Sequence, residues 1–157
     1  MRECFSKVVI DIAINDTKVI LLTGDVEHRM TEFKNKFMDR FFNLGLCEQT
    51  IIGIAAGMAS EGLRPIVYSI TPFILERPFE QVKIEIDEQN LPVILIGYSD
   101  YPHHGPTHRC LNEKKLISIF KNIQGYFPEN SIEAEKAIRD AYNSKKPSII
   151  CLKKDKK

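Results

Sequence analysis

Four stretches of this chain, "KVILLTGD", "RPIVYSI", "LPVILIGY" and "PSIICLK", are short, nearly continuous apolar runs, and they constrain the fold more than any other feature. A strand wetted on one face alternates apolar and polar residues, whereas a strand buried on both faces is apolar throughout. Between these runs lie segments with helical spacing. They are "FSKVVIDIAIND", "HRMTEFKNKFMD" with Met30, Phe33 and Phe37 apolar, and Glu48 to Glu61 stopped by Gly62. Then come Pro72 to about Glu88 with proline at its start, "NEKKLISIF" and "SIEAEKAIRDAYNS". Two weaker strands are predicted at "RFFNLG" and "NIQGYF". The alternation predicts an α/β fold: a three-layer α/β/α arrangement around a mostly parallel sheet, with residues 1–157 as a single domain. In such sheets ligands gather at the carboxyl ends of the strands. Three features fall there: Gly24-Asp25, the turn into Glu48, and the polar loop "SDYPHHGPTHRC".

A formal net charge of +1 offers no broad attraction to nucleic acid or to an anionic membrane. The basic tail Lys153-Lys154-Asp155-Lys156-Lys157 reads as a solvated end. Apolar runs fall well short of the roughly 18 residues of a membrane span, and the charged N-terminal segment predicts no secretory leader. Cys4, Cys47, Cys110 and Cys151 lie far apart with no C-x-x-C pair, which predicts reduced thiols and a cytoplasmic location rather than a disulfide frame or zinc site.

The segment "LGLCEQTIIGIAAGMA" places one carboxylate, Glu48, at the head of a helix otherwise made of Gly, Ala, Ile and Met. Glu48 has two readings. It is a helix-start carboxylate stabilised by free N–H groups and the helix dipole. Or it is desolvated by Leu46, Ile51, Ile52 and a ligand ring, so that it holds a proton at neutral pH. Gly53 and Gly57 share a face and each costs about 1 kcal/mol of helix propensity. They imply close packing, either on the chain's own sheet or against a helix of a partner.

The longer run "DRFFNLGLCEQTIIGIAAGMASEGLRPIVYSITPFILERPFEQVK" resembles the pyrimidine-binding domain of the transketolase family of thiamine diphosphate enzymes. The family pattern is RF, then G-I-x-E-Q-x-x-x-G-x-A-x-G-x-A, then a strand, PF and F-x-Q. "LLTGDVE" and "GPTH" resemble two further family segments, and the likeness extends from about residue 3 to residue 152. The resemblance implies that Glu48 donates to N1′ of the cofactor aminopyrimidine and so activates it for cleavage of a C–C bond next to a carbonyl. It implies that Phe73 stacks on the pyrimidine and that Asp25 and Phe79 lie near the cofactor. The plainer alternatives are a core phenylalanine for Phe73, a turn cap for Asp25 and helix packing for Phe79.

In "PHHGPTH", His108 matches the histidine of the substrate-loop signature, which implies a catalytic or substrate-binding role. His104 stands where relatives carry an aspartate, and His103 precedes it. That departure argues against a standard ketose phosphate. An adjacent histidine pair also resembles thiamine-dependent 2-keto acid decarboxylases, where such residues transfer protons. Arg109 is a candidate for a substrate phosphate or carboxylate, or a solvated loop residue. A metal site is disfavoured, since Gly105-Pro106 interrupts any helix carrying His104 and His108.

The family's diphosphate-binding domain, with G-D-G and a later Asn that hold Mg²⁺, has no counterpart in this sequence. The resemblance therefore implies half of an active site. The cofactor is thiamine diphosphate, its Mg²⁺ held by a separate diphosphate-binding subunit in a heterotetramer or around a homodimer of these chains. The leading functional reading is a subunit of a split transketolase-like transferase acting on a small molecule. The alternatives are a subunit of a split 2-keto acid decarboxylase, or a degenerate non-catalytic module.

Overall fold

A computed structural model describes residues 1–27, 29–99 and 104–154. Its centre is a six-stranded, all-parallel sheet in the order β2-β1-β3-β4-β6-β5. The strands are β1 (Val19–Thr23), β2 (Phe41–Asn43), β3 (Arg64–Ile70), β4 (Ile94–Tyr98), β5 (Gln124–Tyr126) and β6 (Ser148–Leu152). The four apolar runs are the four central strands, and alternate residues along each feed opposite cores. Leu21, Tyr68, Ile96 and Ile150 enter one core with α1 (Arg2–Asn15) and α7 (Ser131–Ser144). Leu22, Val67, Leu95 and Ile149 enter the other with α3 (Glu48–Ser60). A strand covered on both faces has no wet side for a polar residue, so the runs are nearly continuous. α2 (Thr31–Lys36) completes the first layer through Phe33. α4 (Thr71–Leu75), α5 (Phe79–Gln81) and α6 (Glu113–Ile117) complete the second.

Local chemistry sets several boundaries. Asn112 and Asn130 cap α6 and α7 by accepting from the Lys115 and Glu133 amides, at 2.9 Å in each case. Gly62 follows α3 at φ +83°, a left-handed conformation that suits glycine.

The helix expected from Pro72 to about Glu88 is not continuous. α4 stops at Leu75, residues 76–78 form a turn, and α5 runs into wide π-type turns over Val82–Asp87. Pro78 is the physical cause of the break: it has no N–H to donate and disfavours helical backbone at the residue before it. The helix expected at "HRMTEFKNKFMD" similarly closes at Lys36 and is followed by a 3₁₀ turn, Met38–Arg40.

The two glycines of α3 differ in their surroundings. A Cβ on Gly53 would lie 3.1 Å from the Glu85 carboxylate of the wide-turn segment, so Gly53 is needed for packing within the chain. Gly57 is exposed and has no neighbour within 4 Å of that position among the described residues. The chain's own packing gives no reason for it.

Candidate functional site

The carboxyl ends of β1, β3 and β4 carry the three segments that build the site. After β1, Gly24 passes so close to the next loop that a Cβ there would lie 2.8 Å from the Gly45 carbonyl oxygen. Asn43 ties the same region together, accepting from the Asp25 and Gly45 amides at 3.0 and 3.1 Å. These contacts fix the turn that delivers Glu48 to the first position of α3.

After β3, the chain enters α4 without a gap. Thr71 is fully buried, and its hydroxyl shares a 2.7 Å hydrogen bond with that of Ser99 beyond β4. Gly97 makes room for it, because a Cβ there would lie 2.5 Å from the Thr71 hydroxyl. This close seat places Phe73, 4% exposed, over the sheet edge beside Glu48.

Glu48 is only 7% exposed. Cys47, the residue before α3, makes no side-chain cap. The hydrogen bond of the Glu48 carboxylate leads away from α3: Arg77 donates to it through Nη1 at 2.8 Å. The same guanidinium lies 3.4 Å above the centre of the Phe73 ring, the contact distance of a cation on an aromatic face. Beneath them a small enclosed recess runs between Glu48, Ile51, Ile52, Ser69 and Phe73, too tight to admit water. The Ser69 hydroxyl in that recess is buried and has no hydrogen-bond partner among the described residues. Leu46 does not shield Glu48 as expected. It is 67% exposed and faces outward, and Ile51 and Ile52 do the shielding.

The histidine loop reaches the same place. His108 packs edge-on against Phe73 with ring centres 5.0 Å apart, and His104 lies 5.4 Å from His108. The loop is held from below by Glu76, which accepts from the Leu111 amide at 3.1 Å. Cys110 lies beside Glu76. Burial, reinforced by the Glu76 carboxylate, pushes its thiol up to about 12, so it is protonated and a poor nucleophile. His103 lies outside the described residues. Arg109 is exposed.

Of the sequence candidates, Glu48, Phe73, His104 and His108 are brought together. Asp25 sits at the rim, exposed at φ +67° beside Gly24. Phe79 turns the other way, its ring 5.3 Å from Phe120 in the second core. Sequence reasoning missed Arg77. Its signal was the spacing of four from Phe73, directly before the helix-breaking Pro78.

The four cysteines are free. Among the described residues no group of three or more His, Cys, Asp or Glu is placed to hold a metal ion. Among the described residues no helix is long and apolar enough to cross a membrane. An open groove of about 560 Å³ lies between α1 and α7 and is lined by charged residues such as Glu3, Lys7, Asp11 and Arg139, away from this constellation.

Residues 1–156 match the model of the transketolase pyrimidine-binding domain. The chain belongs to this family. Among curated proteins it is similar to the 1-deoxy-D-xylulose-5-phosphate synthase of Syntrophomonas wolfei, 37% identical over 157 aligned positions. That alignment covers 94% of this chain and 24% of the synthase. It is also similar to one of the subunits of the apulose-4-phosphate transketolase of Actinobacillus succinogenes, 32% identical over 127 positions, covering 79% of this chain and 41% of that protein. The chain thus spans about a quarter of the length of the synthases it matches. Among solved structures, a split gene transketolase described as an inactive beta4 tetramer superposes with a TM-score of 0.88 at 24% identity, over 98% of this chain and 51% of that one. The Campylobacter jejuni transketolase superposes at 0.86 with 20% identity, over 97% of this chain and 25% of that one. These two likenesses concern the fold.

Proposed function

We propose that this chain supplies the aminopyrimidine half of a thiamine diphosphate site in a transketolase-like enzyme. The other half, with its Mg²⁺, sits on a separate diphosphate-binding subunit. The observation that carries the reading is the grip of Glu48 and Phe73 on one planar, nitrogen-rich group, the Arg77 guanidinium. A buried carboxylate hydrogen-bonds it and an aromatic ring stacks on it. An aminopyrimidine offers the same flat π-face and in-plane nitrogens, but its ring nitrogens accept. Glu48, an acceptor opposite Arg77, therefore meets a pyrimidine ring nitrogen as a protonated donor.

Thiamine diphosphate supplies the electron sink that C–C bond cleavage beside a carbonyl requires. This chain's residues do the rest on their side of the site. Glu48 holds a proton at its carboxyl oxygen toward a pyrimidine ring nitrogen. Ile51 and Ile52 keep water from that proton. Phe73 fixes the ring plane, and the unpartnered Ser69 hydroxyl offers a further hydrogen bond from the floor of the recess. Asp25 acts at the rim, and Phe79 acts through the packing of the segment behind Arg77. His108 and His104, with His103 and Arg109 on the same loop, meet the polar oxygens of a small-molecule substrate.

A divided enzyme is supported by two similar proteins whose names describe subunits or split genes. A 2-keto acid decarboxylase remains the second reading, favoured by the proximity of the His104 and His108 rings, two titratable groups suited to proton transfer. The test is to reconstitute the chain with its diphosphate-binding partner and assay it against ketose phosphates and 2-keto acids. Transfer of a ketol unit supports the first reading, carbon dioxide release without an acceptor supports the second, and inertness toward both contradicts the proposal.

A further inference from the structure

We infer that Arg77 is a built-in plug, which occupies the place of the aminopyrimidine in the free chain and must leave before the pyrimidine enters. This rests on the function proposed above and deepens it. Three observations carry it. The guanidinium carbon is 3.4 Å from the Phe73 ring centre, so no second flat group fits on that face while Arg77 is there. The same guanidinium holds one oxygen of the Glu48 carboxylate at 2.8 Å, so a face of the stacking ring and an oxygen of the polar anchor are taken together. The recess lined by Glu48, Ile51, Ile52 and Phe73 admits no water, so it does not itself accept a ring.

The two partners differ in freedom. The Glu48 side chain is 9% exposed and heads a long helix. The Arg77 side chain is 38% exposed and springs from the turn at residues 76–78 between α4 and α5. Arg77 can swing to solvent without unwinding either helix, whereas Glu48 cannot. While the site is empty, the plug also neutralises a buried carboxylate that is costly to leave unpaired. The guanidinium is an internal stand-in for the cofactor ring in shape and stacking, flat and seated on Phe73, although it donates to Glu48 where a pyrimidine ring nitrogen would accept.

The test uses the full chain and 4-amino-5-hydroxymethyl-2-methylpyrimidine, the pyrimidine half of thiamine, titrated by calorimetry into wild type, Arg77→Ala and Arg77→Lys. Losing one charge-assisted hydrogen bond and one cation–π contact from the competing state predicts about tenfold tighter binding to Arg77→Ala. Arg77→Lys, which lacks the flat π-system, falls between. Equal affinity for all three overturns the plug, as does absence of binding to the opened Arg77→Ala site. A second measurement needs no variant. In wild-type chain bound to its partner subunit, Arg77 side-chain NMR resonances start ring-current shifted by Phe73. They return toward solvent values when thiamine diphosphate and Mg²⁺ are added. Unmoved Arg77 resonances in a complex that binds the cofactor overturn the plug alone. Failure of that complex to bind the cofactor overturns the functional reading as well.

Discussion

Glu48 and Asp87 are both buried carboxylates, 7% and 4% exposed, yet their surroundings differ in kind. Asp87 accepts from three consecutive backbone amides, Lys121, Asn122 and Ile123, at 3.0, 2.7 and 2.9 Å. Its own carbonyl also accepts from the Asn122 side chain at 2.7 Å. It is spent on the fold, pinning the loop that leads into β5. Glu48 has one side-chain partner among the described residues, and that partner is more than a third exposed. It is held but not used up. A carboxylate saturated by backbone cannot be borrowed by a ligand, while one held by a single swinging arginine can.

The largest expected effect separates the two directly. Glu48→Gln lowers turnover of the reconstituted complex by about 10²–10⁴-fold, the range of a lost general acid–base group, while assembly seen by size-exclusion chromatography is unchanged. Near-normal turnover would place Glu48 in the same class as Asp87. Asp87→Ala does the reverse. It leaves three backbone amides without their acceptor, the Ile123 amide among them buried, and costs about 3 kcal/mol in urea unfolding. Asp87→Asn recovers part of that, because its amide oxygen still accepts. Wild-type stability in Asp87→Ala would remove the contrast from the other side.

Gly97→Ala joins the two classes. It forces Thr71 away from β4 and costs about 1–3 kcal/mol as an overpacked site. It also moves Phe73, so cofactor affinity falls along with stability. A stability loss with unchanged affinity would show that the α4 seat does not position the site. The smallest effect is at Gly57. Gly57→Ala stabilises the isolated chain by up to about 1 kcal/mol through helix propensity, since nothing among the described residues stands where its Cβ goes. Gly57→Leu weakens subunit assembly, measured by analytical ultracentrifugation, if the exposed face of α3 meets a partner. Undisturbed assembly assigns Gly57 no interface role.

The sheet was legible because nearly continuous apolar runs and turn glycines are local signals, and all six expected strands formed. The turn into Glu48 and the histidine loop were legible because each follows a strand, and strand ends converge in a parallel sheet, whereas Phe73 was singled out only by the family resemblance. Arg77 and the role of Asp87 were not. Their bonds join residues 29 and 34–36 positions apart, and no local pattern states such a pairing. Leu46 misled for the related reason that apolar character does not say which way a loop residue faces. The break in the Pro72–Glu88 helix was written in Pro78, but the helical spacing on either side of it masked the stop.

The central claim is that Glu48 and Phe73 form the pyrimidine half of a thiamine diphosphate site. It is tested most directly by titrating thiamine diphosphate with Mg²⁺ into the complex of this chain and its diphosphate-binding partner, comparing wild type with Phe73→Leu. Loss of one aromatic stacking face predicts affinity about tenfold weaker in the variant, with folding and assembly intact. Equal affinity in the two complexes would contradict the account.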